Sequence, residues 1–208
     1  MRRLLVVLLC LAAFSPAVFA SGLVGFGVQA TGANVNFPDP LKEVYGQGFG
    51  GGAHLDINFI PFVGIRVVGD YISFSPDNNK YRALFVKLAA GDGFTSIPAD
   101  WGLDGGRVGI LSFSANAKFG LPTPVLSPYL TAGVGSASLS VSDLKVTFQG
   151  GAVGNVPGVK SETKFSANAG GGVELNFGVS LYLEAKYTWI FTEGSTDTYI
   201  PVSLGITF

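Results

Sequence analysis

Along most of the chain, apolar residues alternate with small or polar ones at a period of two. That is the repeat of an extended strand, whose successive side chains point to opposite faces. Val24, Phe26, Val28 and Ala30 stand against Gly25, Gly27, Gln29 and Thr31. Phe49, Ala53, Leu55, Ile57 and Phe59 stand against Gly50, Gly52, His54, Asp56 and Asn58. Ile65, Val67 and Tyr71 oppose Arg66, Val68 and Asp70; Leu111, Phe113, Ala115, Ala117 and Phe119 oppose Ser112, Ser114, Asn116 and Lys118. The same pattern recurs around 129–135, 165–177, 181–189 and 200–208. No position on the apolar face carries a charge.

Segments of about ten residues cross a bilayer when tilted. The connections alternate too: 60–62, 120–127 and 178–179 are short, whereas 32–46, 76–106, 142–162 and 192–197 are mostly long. Outer-membrane barrels have short periplasmic turns and longer outside loops. The pattern therefore predicts an all-β, eight-stranded antiparallel up-and-down transmembrane β-barrel with both termini at the periplasmic side. A soluble sandwich would also alternate, but its apolar faces would have to meet each other. In lipid every backbone group must pair within the protein, which demands closure. Pro201 removes one ladder donor, and a bulge or water near the outer end of the last strand is expected to absorb the loss.

Residues 1–20 differ: Arg2 and Arg3 precede an apolar run from Leu4 to Phe14, with Val18 and Ala20 ahead of a cut before Ser21. This predicts a cleaved secretory signal peptide rather than a membrane anchor, leaving a barrel domain at 21–208. Cys10, the only Cys, lies within the leader, behind Leu9 rather than a small residue, so lipidation is not expected. The mature chain then has no thiol, which suits an oxidising compartment and excludes a Cys nucleophile or Cys-bound metal.

Composition sharpens the problem. The chain has 208 residues, 13% charged, with 30 Gly and a formal net charge of −1. That excludes a disordered chain and offers no basic surplus for nucleic acid. It also leaves open where so much apolar surface goes, since glycine builds cores poorly. A barrel turned outward to lipid answers this.

The stretches PYLTAGVG (128–135), ELNFGVSLYLEAKYTW (174–189) and YIPVSLGITF (199–208) resemble the OmpA-like family of small outer-membrane β-barrels. The resemblance covers about 23–208 and implies location in the cell outer membrane. The alternating end, with Tyr199, Leu204, Ile206 and Phe208, resembles the signal read by barrel-assembly machinery. Family members that anchor to peptidoglycan carry a further periplasmic domain, and that role is not implied here. Outer-membrane lipids and the assembly machinery are the expected partners, with the chain as a monomer.

By phase, seven charges face the interior: Asp56, Arg66, Asp70, Lys118, Glu174, Glu184 and Lys186. Buried charges must pair or lose several kcal/mol to desolvation, so an ion-pair network is expected. Inward glycines (Gly25, Gly27, Gly50, Gly52, Gly133, Gly135, Gly170, Gly172 and Gly205) either leave room for a narrow pore or small ligand, or let strands bend. The bland alternative is a plugged, structural lumen. His54 is the only histidine. Asp56 shares its face about 7 Å along the strand, but no matching nucleophile motif stands out, so a structural role is expected. No phosphate loop, dinucleotide fingerprint, EF-hand or zinc spacing appears, and neither cofactor nor metal is expected.

In the second long loop Tyr81, Leu84, Phe85 and Leu88 have helical spacing. Asp77, Asn78 and Asn79 can cap the start, and Gly91 fits just past the end. A helix at about 79–90 is predicted, with Lys80, Arg82 and Lys87 on a basic side. It could lie at the outer surface with its cations towards lipid phosphates, Phe94 and Trp101 helping it dock. The blander reading, and the one favoured, is that it packs over the barrel mouth or extends a strand. The function expected is a structural or surface-interaction role in the envelope. A narrow channel for small or apolar solutes is the alternative, and an envelope enzyme the least favoured.

Overall fold

The computed structural model describes residues 23–36, 44–60, 62–89, 102–121, 123, 125–147, 153–158 and 161–208. The leader and its cut, with Gly91, Phe94 and Trp101, lie outside the described residues. Period-two alternation becomes β1 (Val24–Asn36), β2 (Tyr45–Ile60), β3 (Val63–Pro76), β5 (Val108–Gly120), β6 (Leu126–Val141), β9 (Glu162–Asn176), β10 (Ser180–Thr192) and β11 (Ser195–Thr207). These eight close in the order β1-β11-β10-β9-β6-β5-β3-β2, every pair antiparallel. Phe26 and Phe208 exchange backbone hydrogen bonds at 3.2 and 2.7 Å where the termini meet.

The exterior is apolar. Phe49, Leu130 and Leu204 expose 68%, 69% and 62% of their surface. Phe59, Phe62, Phe119, Phe177 and Phe208 crowd the short-turn end. Phe113, Phe165 and Phe191 form a row nearer the other, Phe165 stacked on Phe191 at 5.7 Å. Aromatic girdles flanking an apolar band are what a wall facing hydrocarbon between two polar interfaces requires. Among the described residues no helix is long and apolar enough to cross a membrane.

Several connections depart from the pattern. The link at 192–197 is a tight hairpin, not a long loop: β10 ends at Thr192, β11 starts at Ser195, and Gly194 takes φ +85°. Glycine adopts that backbone without the Cβ clash that penalises other residues. The two long loops at 76–106 and 142–162 are joined by a small sheet of β4 (Gly102–Gly105), β7 (Leu144–Thr147) and β8 (Val153–Val156), in that order. Strands of four residues show too little alternation to be seen in sequence. Pro201 needs no bulge. The β10–β11 ladder runs from Ala185↔Val202 to Thr188↔Tyr199, omitting the rungs at Lys186 and Tyr187, and its register is unchanged.

Helix α1 (Asn78–Ala89) begins where expected, Asp77 Oδ1 accepting the backbone N–H groups of Asn79 and Lys80 at 3.0 and 3.3 Å. Its Tyr81 and Leu84 pack against a buried apolar cluster inside the barrel's outer half: Ala33, Val44, Ile72, Phe74, Ile110 and Ile190 among its members. Through Tyr81 and Leu84 the helix therefore packs over the barrel mouth. Lys80 is exposed and Arg82 half-buried; the Lys87 side chain lies outside the described residues. This cluster also corrects the view that the apolar residues face lipid alone. A bulge between Tyr45 and Gly48 turns Tyr45 inward, and its hydroxyl donates to the Gly106 carbonyl at 2.6 Å, tying β2 to the segment before β5.

Many inward glycines are occupied slots rather than openings. Gly205 faces Tyr182 across the ladder, Gly172 faces Tyr129, Gly48 faces Phe74 and Gly27 faces His54. A Cβ on Gly205 would stand 2.5 Å from the Tyr182 ring, and one on Gly48 would overlap the ring of Phe74. The ring of each pair lies over the bare backbone of its partner. Gly205→Val should therefore destabilise the barrel by about 1–3 kcal/mol through overpacking. Gly32→Ala, whose Cβ would meet Phe49 only at an ordinary 3.8 Å, should be nearly neutral. Urea midpoints in lipid vesicles, with heat-modifiable gel mobility as the folding check, measure both.

Candidate functional site

The lumen gathers the chain's buried chemistry, and its layers follow from which strand end faces which turn. At the short-turn end a cavity of about 710 Å³ opens outward. Its mouth is apolar (Leu23, Phe59, Phe62, Leu121) and its walls polar (Asn58, Ser127, Asn176, Ser180, Thr207). Asp56, Lys118, Tyr129 and Glu174 line its depth.

Arg66 is the centre of the next layer and is 1% exposed. It sits directly across the β2–β3 ladder from Asp56 and grips it in a two-point fork, Nε to Oδ1 at 2.6 Å and Nη2 to Oδ2 at 2.7 Å. Nη2 also reaches Glu174 at 2.9 Å and Nη1 reaches Glu184 at 3.4 Å. The guanidinium carbon lies 4.3 Å from the centre of the Tyr182 ring and 5.6 Å from that of Tyr129. Lys118 pairs with Glu174 and stands 3.6 Å from Asp56; Lys186 pairs with Glu184 at 2.9 Å. The Tyr129 hydroxyl donates to Glu184 at 3.0 Å. Six of the seven inward charges thus form one network spanning β2, β3, β5, β9 and β10. Planar, delocalised Arg suits the hub because its fork satisfies several carboxylates at once.

Asp70, the seventh, lies apart. Its carboxylate accepts from Gln29 Nε2 at 2.7 and 2.8 Å. His54 and Asp56 do not meet: His54 bonds Thr207 and Tyr182, while Asp56 belongs to Arg66. Tyr129, Tyr182, Gln29 and Thr207 were not singled out by charge. Their signal is their place on the inward face, where a tyrosine opposite a glycine marks a filled slot. At the last strand Leu204 and Phe208 are exposed on the outer face, with Ile206 in the same phase; Tyr199 points inward and is buried in the apolar cluster. Among the described residues no group of three or more His, Cys, Asp or Glu is placed to hold a metal ion.

The arrangement cross-braces five strands, four of them through Arg66 itself. Removing that cation leaves three buried carboxylates without their shared partner. Arg66→Met is expected to cost about 3–5 kcal/mol. Glu184→Gln, which keeps an acceptor for Tyr129, is expected to cost less. Equilibrium urea unfolding in vesicles compares the two, and equal stabilities would remove Arg66 from the centre of the network.

Known proteins can now be set beside this geometry. Neisserial surface protein A is similar in fold at 18% identity, with 88% of this chain and 95% of that one aligned and a TM-score of 0.51. A major outer membrane protein from Thermus thermophilus aligns at 13% identity over 89% of this chain and 98% of its own, with a TM-score of 0.55. Comparison with curated proteins gives no match. The family model of the outer membrane protein beta-barrel domain matches residues 6–208. The chain belongs to the outer membrane protein beta-barrel domain family and resides in the outer membrane.

Proposed function

We propose that the protein is a sealed envelope barrel that anchors an extracellular cap, with a structural or surface-interaction role. One observation carries this reading: the outer half of the lumen is filled by an apolar cluster continuous with Tyr81 and Leu84 of α1. Ile72, Phe74 and Ile110 are at most 1% exposed there. Water and ions gain nothing from entering a packed apolar interior. Below the cluster, the Arg66 network occupies the lumen with paired charges rather than free ones. Outside it, among the described residues, α1 and the β4-β7-β8 sheet face the surroundings. The barrel works as a monomer among outer-membrane lipids, and the assembly machinery reads the outward side chains of its last strand. Catalysis has no part in this reading. Both ring nitrogens of His54 are engaged by neighbours, and Asp56 is held by Arg66.

A narrow channel for small or apolar solutes is the second reading, favoured by the 710 Å³ cavity at the periplasmic end. Planar-bilayer recording separates the two. The purified barrel is expected to give flat traces at high protein load, and regular stepwise conductance would overturn the sealed barrel in favour of the channel. In cells, loss of the protein is expected to raise detergent sensitivity. A variant with residues 143–161 replaced by a short turn, still heat-modifiable, should restore resistance if the role is structural. It should fail to do so if the cap carries the role.

A further inference from the structure

The lumen holds four carboxylates, Asp56, Asp70, Glu174 and Glu184, against three cations, Arg66, Lys118 and Lys186. The odd one is Asp70. It is 9% exposed, and Lys186, the cation facing it, is already bonded to Glu184 at 2.9 Å. A buried carboxylate needs a compensating cation or strong hydrogen-bond donors. Asp70 has the latter, through a chain that can be followed residue by residue.

Thr207, on the wall of the periplasmic cavity, places Oγ1 2.9 Å from His54 Nε2. His54 Nδ1 lies 3.2 Å from the Tyr182 hydroxyl. The Tyr182 hydroxyl donates to Gln29 Oε1, and Gln29 Nε2 donates to both oxygens of Asp70. The Asp70 carboxylate sets the direction of the links as far as His54 Nδ1. Gln29 must turn its N–H₂ towards the carboxylate, since its oxygen there would repel it. Its oxygen then faces Tyr182, whose single proton it takes. The Tyr182 oxygen is left as an acceptor, so His54 Nδ1 must carry a proton. Nε2 can then be bare, accepting from the Thr207 hydroxyl.

We infer that His54 is held as the neutral Nδ1–H tautomer, the middle link of a hydrogen-bond chain in which each donor points towards Asp70. Aligned donors polarise one another, and the last bond is made to a charged acceptor, the stronger kind. The chain places its positive end at a carboxylate that has no cation of its own. Two glycines make the geometry possible. A Cβ on Gly27 would overlap His54 Nε2, and one on Gly205 would stand 2.6 Å from the Tyr182 hydroxyl oxygen. Arg66 packs on the Tyr182 ring at 4.3 Å and helps to hold it. His54 is thus a positioning residue: with Tyr182 it fixes how Gln29 meets Asp70. Thr207 is where this chain begins at water.

Because His54 is the only histidine, long-range ¹H–¹⁵N correlation of the tag-free mature chain in lipid nanodiscs reads its tautomer without assignment. The expected spectrum has a protonated, pyrrole-type Nδ1 and a bare, pyridine-type Nε2. An Nε2–H tautomer, or an imidazolium at neutral pH, would overturn the inference. Tyr182→Phe removes the acceptor for Nδ1–H and should switch the proton to Nε2, where it is donated to Thr207. An unchanged tautomer in that variant would show that Tyr182 does not select it, and the inference fails. Should Tyr182→Phe not fold, Thr207→Val tests the other end. There Nδ1–H should persist while the Nε2 signal moves to the position of an unbonded pyridine-type nitrogen, and an Nε2 signal that stays put sinks the chain.

Discussion

In hydrocarbon a peptide N–H has only other peptide groups to bond with, and everything else in this protein follows from that. Eight strands must close on themselves, and closure at that strand number defines an interior just wide enough for side chains. Inward positions therefore compete for little space. A bulky residue on one strand is accommodated by a missing side chain on its neighbour, as with Tyr182 and Gly205 or Tyr129 and Gly172. The chain's many glycines and few charges are two sides of one packing problem.

The interior then divides by what can solvate it. Towards the periplasmic turns, the 710 Å³ cavity brings water to the edge of the charged layer. There, Arg66 can be buried because Asp56, Glu174 and Glu184 surround it and two tyrosine rings stack on it. Towards the outside, α1 packs over the mouth, and the same inward phase changes from charged to apolar along a single strand. On β3 it runs Arg66, Val68, Asp70, Ile72, Phe74. Polar groups near water and apolar groups beneath a lid is the ordinary solution for a core, here stacked along a barrel axis.

Period-two patterning made the eight strands and the inward side of each charge legible, because every second side chain must face hydrocarbon and none there can be charged. Network membership was legible only as a requirement for pairing. That Asp70 stands apart on Gln29 while Asp56 takes the fork of Arg66 depends on rotamers and cross-strand neighbours. Ile72, Phe74 and Ile190 were missed as core because an apolar residue in the inward phase looks like a break in the pattern. The β4-β7-β8 sheet was missed because four-residue strands carry almost no periodicity. Tyr199 belongs to the terminal stretch but shares the inward phase of Ser203 and Thr207, and it is buried in the apolar cluster. Helix α1 was legible as a helix, but helical spacing alone cannot say what its apolar side packs against.

By itself, then, the sequence determined that this is a closed, outward-apolar barrel with nearly balanced charges inside, since alternation, segment length and charge exclusion are local consequences of lipid as solvent. Tertiary structure alone decided that many glycines are filled slots, that the outer lumen packs an apolar cluster and that Arg66 is the shared cation. Those outcomes depend on which residues closure sets face to face, and register across a closed sheet is a property of the whole ring of strands.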